Sequence, residues 1–456
     1  RYSPGREERV TPTPNVLAAP NGALKEAFWN NNFSAGQKLN WQGASVRLDF
    51  NNARTSTNNP FTGLNPYFNS QLVLSYIQPL WRGRLTDSDR TTIRLRRKQI
   101  DGTEVEFEVR VVDVVTRVQQ AYWDLVAVRE DVEVRQEAAD LARTQVGLSK
   151  RQIEAGTLAP VELSAAEAEL ERRLDSLYAS LELVTQAENN LKALLAPGRE
   201  DALWGEEIVP TEKTTVAPPE WTDLKGAVDG AVRKRPELRG IAVRQESNAI
   251  QKALSEDLLK PGINLTASYI NSGLAGSINR APNPFQGLFP GGGGGGLPQL
   301  PGQLVGGYGQ TLQSVFGGDF QSYQVGIAID WNPRNRAAKA GVQQAVLQGR
   351  QLEIERSRTA QLIEAQVRNG LQAIETAKQR IAAAEASARA AQIKLESETR
   401  LFQTGESTNF LVLTRQNEYA DSRRRAVVAK LDLNKAIARV EQALGATLEA
   451  HQIALK

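Results

Sequence analysis

The 456 residues contain no cysteine, no methionine and a single histidine, His451. Without cysteine there is no disulfide framework, thiol nucleophile or Cys-ligated zinc or iron–sulfur site. One histidine excludes a His₂ or His₃ metal site within one chain. Charge imbalance is lacking too: 55 Lys+Arg against 52 Asp+Glu leave +3, too little to argue for a nucleic-acid partner. No run of about 18 apolar residues occurs, which excludes a spanning helix. No basic start followed by an apolar run marks a signal peptide. A spanning β-barrel survives these absences, because its strands are short and alternate in polarity. With methionine missing, Arg1 is not expected to be a translational start, and the chain reads as a processed form or a fragment. At one domain per ~150 residues, the length allows two to four compact units or one elongated one.

What is present is periodicity. Ile363, Val367, Gly370, Ile374, Ala377, Ile381, Ala384, Ala388, Ala391 and Leu395 follow alternating steps of 4 and 3 with no charge on the seam. That spacing predicts a coiled-coil contact rather than a globular helix stripe, and small residues let the partner helix approach closely. We expect this seam to be an interface between protomers. Val111, Val115, Val118, Tyr122, Leu125, Val128 and Val132 repeat the pattern earlier.

Aligning the two regions exposes an internal repeat. Leu80-Trp81-Arg82-Gly83-Arg84 matches Asp330-Trp331-Asn332-Pro333-Arg334. Trp81 to Gly156 is 75 residues and Trp331 to Gly405 is 74. Each copy reads as strand, helix on the order of 100 Å long, Gly turn, second helix. Gly156 and Gly405 fit the left-handed position that ends a helix.

Strand alternation precedes each long helix, at Leu72, Leu74 and Tyr76 and at Tyr323, Val325, Ile327 and Ile329, with Ile263 to Tyr269 as a partner. Copy one has a further hairpin, Phe33–Trp41 and Ala44–Asn52 around Gln42-Gly43, and residues 1–10 read as a further strand, giving six per chain. Residues 53–68 and 272–320 read as long loops. The latter holds the run Gly291 to Gly296, which no helix or Gly-Lys-Ser/Thr follows, so it is not a phosphate loop. Trp41, Trp81, Trp331, Tyr76, Tyr269 and Tyr323 suit interfacial girdles. By symmetry with the helix at 237–259, a helix is expected ahead of Arg1. The expected segments are 1–86 (strands and loops), 87–195 (helical hairpin), 196–236 (linker domain, with Ala217-Pro218-Pro219), 237–259 (helix), 260–333 (strands and Gly-rich loop), 334–447 (second hairpin) and 448–456 (tail).

Two tandem copies of strands feeding very long helices resemble the TolC-like outer-membrane efflux protein family. The resemblance covers essentially the whole chain. It is carried by the Gln78-Pro79-Leu80-Trp81 and Trp331-Asn332-Pro333-Arg334-Asn335-Arg336 junctions, by Arg235-Pro236-Glu237-Leu238, and by the tips Gly156–Leu163 and Gly405–Val412. It implies a mainly α chain with a β-barrel portion: long α-helical hairpins forming an α-barrel, fused to a membrane β-barrel, in a homotrimer. It also implies an outer-membrane location reaching into the periplasm, and contact with outer-membrane lipid. The implied partners are a periplasmic adaptor (membrane fusion) protein and an inner-membrane transporter, of an efflux or type I secretion system. Gly156, Thr157, Val161, Glu162, Leu163, Gly405, Glu406, Phe410, Leu411 and Val412 are the implied docking tips. Some relatives carry acidic residues just past the second tip; here Leu411 to Thr414 holds no carboxylate.

No catalytic residue, cofactor or metal is expected, since Asp and Glu sit mostly on helix faces where solvation accounts for them. The alternative is a periplasmic coiled-coil scaffold or adaptor with a β-sandwich head, which would stay soluble without detergent.

Overall fold

A computed structural model describes residues 1–14, 19, 22–39, 41–212, 223–280 and 300–455. The Gly291–Gly296 run and Ala217-Pro218-Pro219 lie outside them. Contacts divide the chain into two compact units, residues 1–96 with 247–349 and residues 97–246 with 350–456.

The first unit is built on one antiparallel sheet whose six strands follow chain order: β1 (Tyr2–Pro12), β2 (Ala23–Lys38), β3 (Ser45–Thr57), β4 (Leu64–Pro79), β5 (Gly262–Ile278) and β6 (Phe320–Asp330). The described strands form a single layer, whereas a sandwich head needs two packed sheets. The six strands fall where expected, but their limits differ. β2 starts ten residues before Phe33 and ends before Trp41, which lies in the turn closed by Ala44 N–H donating to Trp41 O at 3.2 Å. β3 and β4 extend into the expected 53–68 loop and leave only residues 58–63 outside the strands between them. Their ends there are rich in Asn and Thr, so polarity does not alternate although the backbone ladder continues.

Opposed residues share a face of a sheet. One face carries Phe33, Phe50, Leu72, Leu74, Leu265, Val325, Ile327 and Ile329; the other carries Asn69, Gln71, Ser75, Asn264, Thr266, Ser268 and Gln324. The second face is not purely polar, since Val73 and Ile77 also lie on it. On β1 both faces are charged, with Arg6 paired to Glu8 on one and Arg9 to Glu7 on the other. Tyr269 and Tyr323 oppose each other on the apolar face.

The helices are α1 (Ser88–Glu154), α2 (Pro160–Leu195), α3 (Leu224–Lys234), α4 (Pro236–Asp257), α5 (Tyr308–Gly317), α6 (Arg336–Gln403), α7 (Asn409–Leu444) and α8 (Thr447–Ala450). α5, preceded by a 3₁₀ turn at Gly302–Leu304, occupies what the Gly- and Pro-rich composition predicted to be loop. Among the described residues no helix is long and apolar enough to cross a membrane. α1 and α2 have 67 and 36 residues, and α6 and α7 have 68 and 36.

The second unit is helical. Its core joins Ile363, Val367, Ile374 and Ala377 of α6 to Leu433, Ile437, Val440 and Leu444 of α7, with Ala231 of α3 and Ile241 of α4. All ten seam positions from Ile363 to Leu395 are buried or half-buried within this one chain. The expectation of a protomer interface along that seam is therefore corrected: α7 of the same chain fills it. Gly370 makes the approach close, because a Cβ there would lie 2.6 Å from Val440 Cγ2.

Candidate functional site: the two helix-hairpin ends

Both hairpin ends lie in the helical unit and are built alike. At the first, Gly156 (φ +77) follows α1, Gly156 N–H donates to Ile153 O at 2.9 Å, and Thr157 N–H donates to Gln152 O at 2.8 Å. At the second, Gly405 (φ +82) follows α6, with Gly405 N–H to Phe402 O at 3.2 Å and Glu406 N–H to Leu401 O at 2.8 Å. The bond reaching five residues back satisfies the last helical carbonyls, and only a residue tolerant of positive φ closes it without strain.

The next helices start differently. Pro160 occupies the first turn of α2, where its missing N–H is not needed. Thr408 caps α7, its Oγ1 accepting from Leu411 N–H at 3.4 Å. Glu162 stands in the first turn of α2, favourable for an acid near a helix start.

Buried amides hold the two ends together. Asn409, 1% exposed, accepts from Gln145 Nε2 at 2.8 Å and donates through Nδ2 to Glu162 O at 3.2 Å. Gln152 Nε2 donates to Phe402 O at 3.4 Å. The structure thus brings the segments of Glu162 and Asn409 together. It exposes Gly156, Thr157, Val161, Gly405, Glu406, Phe410 and Leu411, and half-buries Glu162 and Leu163. Val161 is 70% exposed and Phe410 71%, whereas Val412 is fully buried. Asn409 and Gln145 are the residues that periodicity missed. An Asn beside a helix start reads as a cap, and the partner on α1 is 264 positions away.

Two carboxylates near the second end, Glu398 and Glu418, are paired. Ser407 Oγ donates to Glu398, whose Oε2 lies 3.6 Å from Arg415 Nε, and Arg415 Nη1 donates to Glu418 at 2.8 Å. The hydrogen bond to Glu418 holds the Arg415 guanidinium above its usual value, with Glu398 adding to it. Further along, Arg173 bridges Glu169 at 2.7 Å and Asn417 at 2.7 Å, joining α2 to α7. Asp131 of α1 accepts from Arg424 of α7 at 2.7 Å. Among the described residues no group of His, Asp and Glu is arranged to hold a metal.

Residues 45–196, which span β3, β4, α1 and α2, match the family model described as outer membrane efflux protein. No curated protein sequence matches this one. Solved structures share the fold over nearly the whole chain. The outer-membrane channel OprN is 14% identical with a TM-score of 0.63, covering 91% of this chain and 82% of that one. The outer membrane protein VceC of Vibrio cholerae is 14% identical with a TM-score of 0.61, covering 94% and 88%. The open-state MtrE outer membrane channel of Neisseria gonorrhoeae is 16% identical with a TM-score of 0.61, covering 92% and 80%. Residues 45–196 thus match the outer membrane efflux protein family model, and the chain shares its fold with solved outer-membrane channels.

Proposed function

We propose that the chain is the outer-membrane channel of a tripartite efflux or type I secretion system, a passive conduit reaching into the periplasm. The observation that carries this reading is that β4 to β6 turn one mainly apolar and one mainly polar face. A membrane barrel turns an apolar face to lipid and a polar face to its lumen.

The sheet has two outer edges, at β1 and β6. In a bilayer each unsatisfied backbone group costs several kcal/mol, and fewer than about eight strands do not close. Copies of the chain supply the remedy. Three six-stranded sheets make an eighteen-stranded barrel, a size that leaves an aqueous channel. The near-equal helix pairs support two tandem copies of one unit, forming an α-barrel in the homotrimer. The segments 1–86, 87–195, 196–236, 237–259, 260–333, 334–447 and 448–456 divide the chain accordingly.

The exposed Val161, Phe410 and Leu411 at the hairpin ends offer apolar surface to a periplasmic adaptor, which links the channel to an inner-membrane transporter. No catalytic step is assigned to the chain. Glu162→Lys combined with Phe410→Asp is expected to abolish export while leaving outer-membrane insertion intact. Normal export by that variant removes the hairpin ends from the docking model.

A further inference from the structure

α5 lies against the apolar face of the sheet, where β3, β4 and β5 run side by side. Its ten residues, YGQTLQSVFG, carry no charge. Phe316 stands 6.2 Å from Phe50, and Tyr308 stands 5.6 Å from Phe68, ring centre to ring centre. The approach is close: a Cβ on Gly273 would meet Thr311 O at 2.2 Å.

Beneath the helix the apolar face is interrupted by Asn52, Ser70 and Asn271. Ser70 Oγ donates to Asn52 Oδ1 at 2.8 Å, Tyr308 Oη donates to the same atom at 2.9 Å, and Asn271 Nδ2 donates to Val315 O. Facing acyl chains without the helix, Asn271 Nδ2 would lose its partner and Asn52 Oδ1 one of its two donors, and polar groups without partners are unfavourable in hydrocarbon. The position along the strands is informative. Asn271 comes nine residues after Gly262, where β5 starts behind α4, and Ser70 comes nine residues before Pro79, where β4 ends ahead of α1. About 9–11 tilted residues make one membrane crossing. Thus α5 covers the strands one bilayer away from the junctions with the helices.

We propose that α5 is a membrane-interface helix of the barrel's outer wall. It seats on the polar patch at the extracellular end of the apolar face and turns Phe316, 70% exposed, into the boundary between headgroups and acyl chains of the outer leaflet. Aromatic residues at the ends of a short helix suit that boundary. The inference rests on the reading that the apolar face meets lipid, and its test separates the two.

The absence of cysteine makes single-cysteine spin labels clean. The full-length protein is reconstituted in phosphatidylethanolamine–phosphatidylglycerol vesicles with a nitroxide at Phe316→Cys, at Leu312→Cys, at Ile327→Cys on the apolar face, or at Ser268→Cys on the polar face. Collision with oxygen reports lipid, and collision with a water-soluble nickel chelate reports water. Oxygen is expected to dominate several-fold at 316 and 327, and the chelate at 268. Leu312→Cys, which keeps the Phe316 ring in place, is expected to side with 316. Chelate-dominated collision at 316 and 312, with 327 still in lipid, overturns the interface helix alone. Chelate-dominated collision at 327 overturns the lipid-facing assignment of the sheet and the inference with it.

Discussion

At the scale of single residues, two positions report on tight packing and on charge. Gly370 faces Val440, and a methyl there meets Cγ2 at 2.6 Å. Helix propensity alone would favour alanine by ~1 kcal/mol, but overpacking typically costs 1–3 kcal/mol. Gly370→Ala is therefore expected to lower stability, and Val440→Ala introduced with it to recover part of the loss in a double-mutant cycle of denaturant unfolding. Glu188 of α2 accepts from Lys192 Nζ at 2.7 Å and from Ile208 N–H at 3.2 Å, with Arg129 at 3.8 Å. The Lys192 hydrogen bond is the largest cause holding its carboxyl below the usual range; burial opposes it, and the Ile208 amide and Arg129 assist. A folded value below the unfolded one, about 4.3, stabilises above that pH and is lost as pH falls through the folded value. The protection factor of the Ile208 amide against hydrogen exchange is expected to fall as pH drops through that folded value, and Glu188→Gln to abolish that pH step.

At the scale of elements, the α6 seam was legible because ten residues hold one spacing without a charge. Its partner was not legible. A 3.5-residue period says that a helix packs, and is silent on whether the mate belongs to the same chain. With α7 filling the seam, Ile374→Glu with Ile381→Glu is expected to destabilise the chain's own helical unit by several kcal/mol. Thermal melting followed by circular dichroism, compared with exposed Ile393→Glu, checks this; equal melting of the two variants would remove the seam from the core. The hairpin ends were half legible. Gly156 and Gly405 announce the turns, since positive φ selects glycine, and Phe410 sits exposed. Val412 is buried instead, because three residues into α7 the helix has rotated that side chain inward. α5 was not legible at all, because its stretch is Gly-rich and Pro-rich and its helical residues are seated by contacts with distant strands.

At the scale of the whole molecule, the proposed homotrimer needs an apolar surface that the single chain leaves open. Ile93, Ile100, Phe107 and Val114 repeat every seventh residue along α1, and all four are exposed. This heptad stripe suits helices of a neighbouring copy. Ile100→Glu with Phe107→Glu is expected to give monomers in detergent by light scattering while keeping helicity, since neither side chain is buried in the chain. A trimer that persists would take the stripe out of the interface. Residue order alone determined the long helices, their turns and the alternating strands, because these follow from spacing that each segment carries within itself. It also determined the exclusion of thiol and multi-histidine chemistry, which needs only a count. Tertiary structure decided that α7 rather than a second copy fills the α6 seam, that Asn409 ties the hairpin ends together, and that α5 covers a polar patch on an apolar face. Each of those joins residues far apart in the chain, and pairing at a distance leaves no periodic mark on either partner.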